Sequence, residues 1–452
     1  MSAELSQPII DDLDLPLAAS FKVEGSPVVS LAASALTLFI ATSVISILGV
    51  TMPILVPVFN LSVAQSNTLV SSPLIFAGVF SIPVSLLGER YGARYLSCTL
   101  LLLVSMALLA LAALMKWYLI SNMFGLFFVC GMFLGFAGLV LNATISQLSA
   151  WFPLSRQGTV YGLMFLGYGL GPPTLSAYAT PFVNFFGFSA LFLFTGCQVG
   201  VSALVALVLI RDSPYMQILR HTAGSMKHET IVSVCKSGFA QQVFPSETAF
   251  NFCGAVKSWR SLSLAYVAGI SLGILLALLT YLPLYLTRVF PELGVNTPGY
   301  MVTVTGVVAS LFTFVSGVLF DRVSGRSVWI TALVLLVVTI LASAGVYLSV
   351  SVWMTSGFVV LTASSASVLN LACFKLLESV CPQHAAATVG MMELSGNLIG
   401  FFLPLSFSFL KNEKLMSVVF SSLALTALVV LLLLFFLSAG PLIHDVEDER
   451  RP

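Results

Sequence analysis

Between Ser367 and Pro404 the chain reads SVLNLACFKLLESVCPQHAAATVGMMELSGNLIGFFLP, an apolar, glycine-punctuated pair of segments that carries Asn370, Lys375, Glu378, Glu393 and Asn397. Polar and ionisable side chains are costly inside such segments, so each one marks a candidate functional site. Glu393 is the sharpest of them. Ionisation without a partner is costly there, so its carboxyl must either hold a proton or meet a cation. An acid that holds and releases a proton can couple the movement of a solute to a proton gradient. A structural pair with Lys375, or a hydrogen-bonded acid near the membrane boundary, is the plainer alternative. Lys375 and Glu378, three residues apart, can instead meet each other on one helical face. Asn370 has a counterpart in Asn142, and such amides either bind a ligand or bridge neighbouring helices.

Composition dictates what must position these groups. Hydrophobic residues make up 58% of the 452 and charged residues only 8%, against about 25% charged in an ordinary soluble domain. A soluble core is excluded, and an all-α polytopic membrane protein is predicted. A helix needs about 20 apolar residues to cross the hydrocarbon with its backbone satisfied internally. Twelve segments meet that requirement, near 28–54, 67–87, 95–115, 119–146, 158–181, 186–210, 261–287, 299–320, 328–350, 352–377, 387–409 and 415–438. The polar stretch 211–260 splits them six and six. The expected organisation is therefore a tail over 1–26, a six-helix bundle over 27–210, a linker over 211–260, a second bundle over 261–438 and a tail over 439–452.

Placing the first residue in the cytosol puts fifteen of the 19 Lys and Arg on the inner side and leaves Lys116, Arg288, Lys411 and Lys414 outside. That asymmetry predicts cytosolic termini and a cytosolic linker. Residues 1–25 are acidic and polar, unlike a cleavable signal. The seven cysteines are scattered and read as packing residues, with no disulfide or metal framework. The four histidines have no metal-ligand spacing, and no phosphate-binding loop is present. No enzyme constellation or cofactor is expected. The net charge of +1 makes no case for nucleic acid.

Two internal repeats organise the halves. Leu141, Asn142 and Gly162 recur as Leu369, Asn370 and Gly390 at an offset of 228 residues. After the second segment the chain reads LLGERYGAR, and after the eighth GVLFDRVSGR, so Glu89, Arg90 and Arg94 map onto Asp321, Arg322 and Arg326 at an offset of 232. An acid beside one Arg, with a second four positions on, suits a tight turn whose charge-assisted hydrogen bonds link neighbouring helices and can release them. These six residues are the expected gate. The glycines of the fourth, fifth and eleventh segments, with Pro172 and Pro173, allow close helix approach and bending.

Six plus six segments, a long central loop and the paired ER/DR loops resemble the major facilitator superfamily over about residues 28 to 437. Within it the chain is similar to the nitrate/nitrite porter branch. The likeness runs through FNLSVAQSNTLVSSPLIFAGVFSIPVSLLGERYGAR, FPLSRQGTVYGLMFLGYGLG, and the pair NLACFKL and GNLIGFFLP. The resemblance implies an alternating-access carrier in which two arginines hold the anion and a lysine, matched by Lys375, gates the inner mouth. At the matching places this chain has Ser81, ahead of Ile82 and Pro83, and Thr313; Met164 stands where that branch has an Asn. Without a guanidinium there is no bidentate clamp for a planar oxyanion, so nitrate is not the expected substrate.

The groups left to line a central site are Ser81, Asn142, Tyr161, Tyr168, Tyr266, Thr313, Asn370 and Asn397, with Glu393 as the proton-coupling acid. Tyr161 and Tyr168 share a helical face, and Tyr266 falls where the resemblance implies a helix-seven tyrosine; packing is the alternative for all three. The expected function is secondary transport of a small solute, driven by its own gradient or by proton symport, by a monomer in the plasma membrane. A carboxylate exchanger like the oxalate/formate and monocarboxylate families is the alternative within the fold. A transport-inactive sensor signalling through the linker and the acidic tail is the alternative outside it.

Overall fold

The computed structural model describes residues 25–116, 124–149, 151–152, 154–212, 217, 252–294, 296–323, 325–381, 384–409 and 413–448. Among the described residues all regular structure is helical. Ten helices among the described residues are long and apolar enough to cross a membrane. They are α1 (Pro27–Phe59), α3 (Ala93–Lys116), α4 (Phe124–Ile145), α6 (Phe188–Leu209), α7 (Trp259–Val289), α8 (Thr297–Phe320), α9 (Gly325–Leu348), α10 (Val352–Leu377, continuing to Val380), α11 (Ala385–Phe407) and α12 (Leu415–Leu437).

Two further segments complete the twelve that the hydrophobic runs predict. One is α2, built of Val63–Ser71, Pro73–Val79 and Ser81–Tyr91 in succession. A capping box opens it: the Ser62 hydroxyl accepts from the Gln65 N–H at 3.2 Å while the Gln65 side chain accepts from the Ser62 N–H at 3.0 Å. Its first interruption coincides with Pro73, which has no N–H to continue the ladder. The other is α5 (Gln157–Phe186), which accommodates Pro172, Pro173 and Pro181 in its interior.

The first six helices form one bundle, in which α3 lies along α6, α5 along α1 and α2 along α4. The last six form a second, in which α7 lies along α11, α9 along α10 and α12, and α8 along α10. The bundles meet along two seams, α5 on α8 and α2 on α11, with α1 against α7 between them. Glycines permit this approach. A Cβ on Gly158 would strike the Gly317 carbonyl and the Asp321 carboxylate, and one on Gly317 would strike Gly158 in return, so the α5–α8 seam closes only with glycine at both places.

Candidate functional site

Glu393 stands about two turns inside α11 and is 2% exposed. The Asn397 amide, one turn further on, donates to its Oε2 at 3.2 Å, while its Oε1 has no hydrogen-bond partner. No Lys, Arg or His forms an ion pair with it among the described residues; Lys375 instead reaches Asp321 at 3.7 Å. Tyr168 of α5 is likewise buried and lies within electrostatic reach of Glu393.

Around this pair the bundles contribute further polar atoms. Asn142 of α4 and Asn370 of α10 are both buried, and the side-chain oxygen of each lacks a partner. The Asn142 amide donates to the Ser81 carbonyl at 3.5 Å. Aromatic rings close the group: Phe374, one turn from Asn370, meets Phe165 at 5.1 Å and Tyr161 at 6.2 Å between ring centroids, and Phe165 meets Tyr168 at 6.3 Å. Of the residues singled out in the sequence, Asn142, Tyr161, Tyr168, Asn370, Glu393 and Asn397 are all buried.

Ser81 and Thr313 take different parts. The Ser81 hydroxyl contacts both the Gly78 carbonyl at 2.7 Å and, across the seam, the Gly390 carbonyl at 2.9 Å. Thr313 is paired inside its own bundle, with Ala309 O at 2.8 Å and Ser367 Oγ at 2.6 Å. Tyr266 departs from expectation: it is 38% exposed on the outside of the bundle, with its hydroxyl 2.8 Å from Thr426 of α12. Position in α7, and so rotation about the helix axis, turns it away from the seam.

Each end of the molecule carries a cross-bundle latch. At the first turn of α5, the N–H groups of Gly158 and Thr159 and the Thr159 hydroxyl all donate to Asp321 at 2.7 Å. A carboxylate there satisfies free helical donors and complements the helix dipole. Of the other expected gate residues, Arg94 stays within its own bundle, donating from Nε to the Leu207 carbonyl and from its backbone to Asp212 at 3.3 Å. Arg322 and Arg326 are exposed. The side chains of Glu89, Arg90 and Glu378 lie outside the described residues.

At the opposite end Arg288 of α7 donates to the Tyr281 hydroxyl at 2.8 Å, to Glu413 at 3.2 Å, and across the bundles to Ser66 at 3.2 Å and Asn67 at 3.4 Å. Asn67 in turn donates to the Pro404 carbonyl and the Ser408 hydroxyl, both at 2.9 Å. Sequence reasoning misses this latch. Its signal is a lone Arg at the end of one apolar run and a buried-type amide at the start of another, which charge counting alone does not join.

A family model described as the Major Facilitator Superfamily matches residues 34–294. The chain belongs to the major facilitator superfamily. Like other superfamily members it is an integral, multi-pass membrane protein built for solute transport. The probable nitrate/nitrite transporter NarK2 of Mycobacterium tuberculosis is 26% identical over 357 residues, covering 76% of this chain and 80% of that one. The nitrite extrusion protein of Bacillus subtilis is 25% identical over 355 residues, covering 76% and 78%. A solved bacterial homologue of the human lysosomal transporter Spinster, inward-facing and occupied, has a TM-score of 0.59 at 17% identity, covering 90% of this chain and 96% of that one. The nitrate-porter likeness is thus real, and the two positions where it implies arginines are a buried serine and a buried threonine. Among the described residues no cluster of His, Cys, Asp or Glu has the makings of a metal site.

Proposed function

We propose that this superfamily member is a secondary active carrier that moves a small solute by alternating access, with Glu393 as its proton-coupling acid. The observation that carries the reading is the placement of one buried carboxyl, with an unpartnered oxygen, between two latches that each join the bundles at opposite ends. A structure fastened at both ends around a polar centre is what a carrier passes through between its two open forms. On this reading the bundles run over 27–210 and 261–438, joined by 211–260. The Asp321 end and both termini face the cytosol, and the host membrane is the plasma membrane.

Nitrate and nitrite do not fit the centre, although relatives carry those names. An anion desolvated beside Glu393 would meet no cation and an uncompensated acceptor. The same electrostatics count against a carboxylate exchanger. Uptake by the purified protein in liposomes tests the carrier reading: accumulation that collapses with a protonophore supports proton coupling, whereas no flux across a broad solute panel favours a sensor.

A further inference from the structure

The centre of the seam is rich in acceptors and poor in donors. Three buried side-chain oxygens there lack partners: Glu393 Oε1, Asn142 Oδ1 and Asn370 Oδ1. They belong to α11, α4 and α10, and two routes of contact run from the amides toward Glu393. Asn142 touches Ser81, whose hydroxyl reaches Gly390, one turn before Glu393 on α11. Asn370 is one turn from Phe374, which packs on Phe165 next to Tyr168, a buried residue within electrostatic reach of Glu393.

Leaving buried acceptors unmade costs about 1–3 kcal/mol each, so such a set points to an occupant that supplies donors. A proton on Glu393 would satisfy only the carboxyl and leave both amides unpaired. A hard metal cation asks for about six oxygen ligands, and only three free oxygens are at hand. A protonated amine fits every feature: three N–H donors for three acceptors, a positive charge for the carboxylate, and a cation that aromatic faces attract. Building on the carrier reading, we infer that the solute bears a primary ammonium group, which docks against Glu393 with Asn142 and Asn370 as its other acceptors. Ammonium and proton then compete for one carboxyl. The other side chains acting on that carboxyl are Asn397 from its own helix and Tyr168 from α5. Among the described residues α2, α4, α7 and α10 bring no ion-pair partner to it.

Binding can be tested apart from transport, so failure here is distinguishable from failure of the carrier reading, which the liposome flux decides. The purified full-length protein in detergent is melted with methylammonium, ethanolamine, putrescine, tetramethylammonium, sodium or nitrate, since a ligand of the folded form raises the melting temperature. The expected result is a concentration-dependent rise with at least one primary amine, a smaller one with tetramethylammonium, and none with sodium or nitrate. Glu393→Gln should abolish the amine effect. Glu393→Asp should retain it at higher concentration, and Asn370→Ala should weaken it, which keeps the test intact if the Gln variant folds poorly. No rise with any amine, a rise with sodium or nitrate alone, or an amine effect that survives Glu393→Gln would each overturn the inference.

Discussion

The two seams between the bundles are built to one plan and finished differently. In the first, a Cβ on Gly162 of α5 would press on Phe314 and Gly317 of α8; in the second, a Cβ on Gly390 of α11 would press on Ile82 of α2. Gly162 and Gly390 stand 228 residues apart, and Ile82 and Phe314 stand 232 apart, the offsets of the internal repeat. Yet Ser81 spends its hydroxyl across its seam, whereas Thr313, its counterpart at 232, spends its own inside the bundle. Glu393 likewise has Phe165 as its counterpart at 228. Duplication supplies the shared hinge surface, and divergence places the chemistry on one side of it. The α5–α8 seam carries the carboxylate latch at its end, and the α2–α11 seam carries the unpaired acid near its middle.

Changes aimed at this asymmetry should rank by how many cross-bundle contacts they remove. Asp321→Ala deletes three charge-assisted hydrogen bonds to α5, and the loss of even one such bond is worth about 1.5–3 kcal/mol. The closed form at that end should fall by more than about tenfold, read as faster maleimide labelling of cysteines introduced along α5 and α8. Gly390→Ala places a Cβ 2.8 Å from the Ile82 Cα, whereas Gly162→Ala meets nothing nearer than 3.2 Å. The first should cost about 1–3 kcal/mol of thermal stability by overpacking and the second clearly less; equal costs would remove the distinction between the seams.

Arg288→Ala should act at the other end, but its partner Glu413 and Arg288 itself are 23% and 20% exposed in their side chains. That pair lies within one bundle, and across the seam Arg288 reaches only the neutral Ser66 and Asn67, while Asn67 keeps Pro404 and Ser408, so labelling at that end should rise only several-fold. The smallest effect is expected from the serine and threonine pair. Ser81→Ala should shift the open–closed balance by about 1 kcal/mol with little change in melting temperature. Thr313→Val should do the reverse, lowering stability and leaving the balance alone.

Helix number and the two-bundle plan are legible in the sequence because a bilayer sets a minimum apolar length that each run either meets or does not. The acid at the centre is legible for the same reason, since Glu393 has no cheap place in such a run. Partner choice is not legible. Lys375 has Glu378, Glu393 and Asp321 as candidate partners, and only the approach of α8 to α10 brings Asp321 to it. Tyr266 resembles a site residue by position alone, and the rotation of α7 turns it to the periphery. The Arg288 latch depends on α2 meeting α7 and α11 together, a relation between residues more than 200 positions apart that no local pattern encodes.

The central claim is that the two ends open in turn around Glu393. It is tested most directly by spin-label distances in a cysteine-depleted protein reconstituted in nanodiscs. One pair, Ser155→Cys with Arg326→Cys, spans α5 and α9 at the Asp321 end, and another, Phe185→Cys with Asn296→Cys, spans α5 and α8 at the Arg288 end; all four positions are exposed. The account predicts that lowering the pH, or replacing Glu393 by Gln, lengthens one distance while shortening the other. Distances at both ends that stay fixed, or that lengthen together, would contradict it.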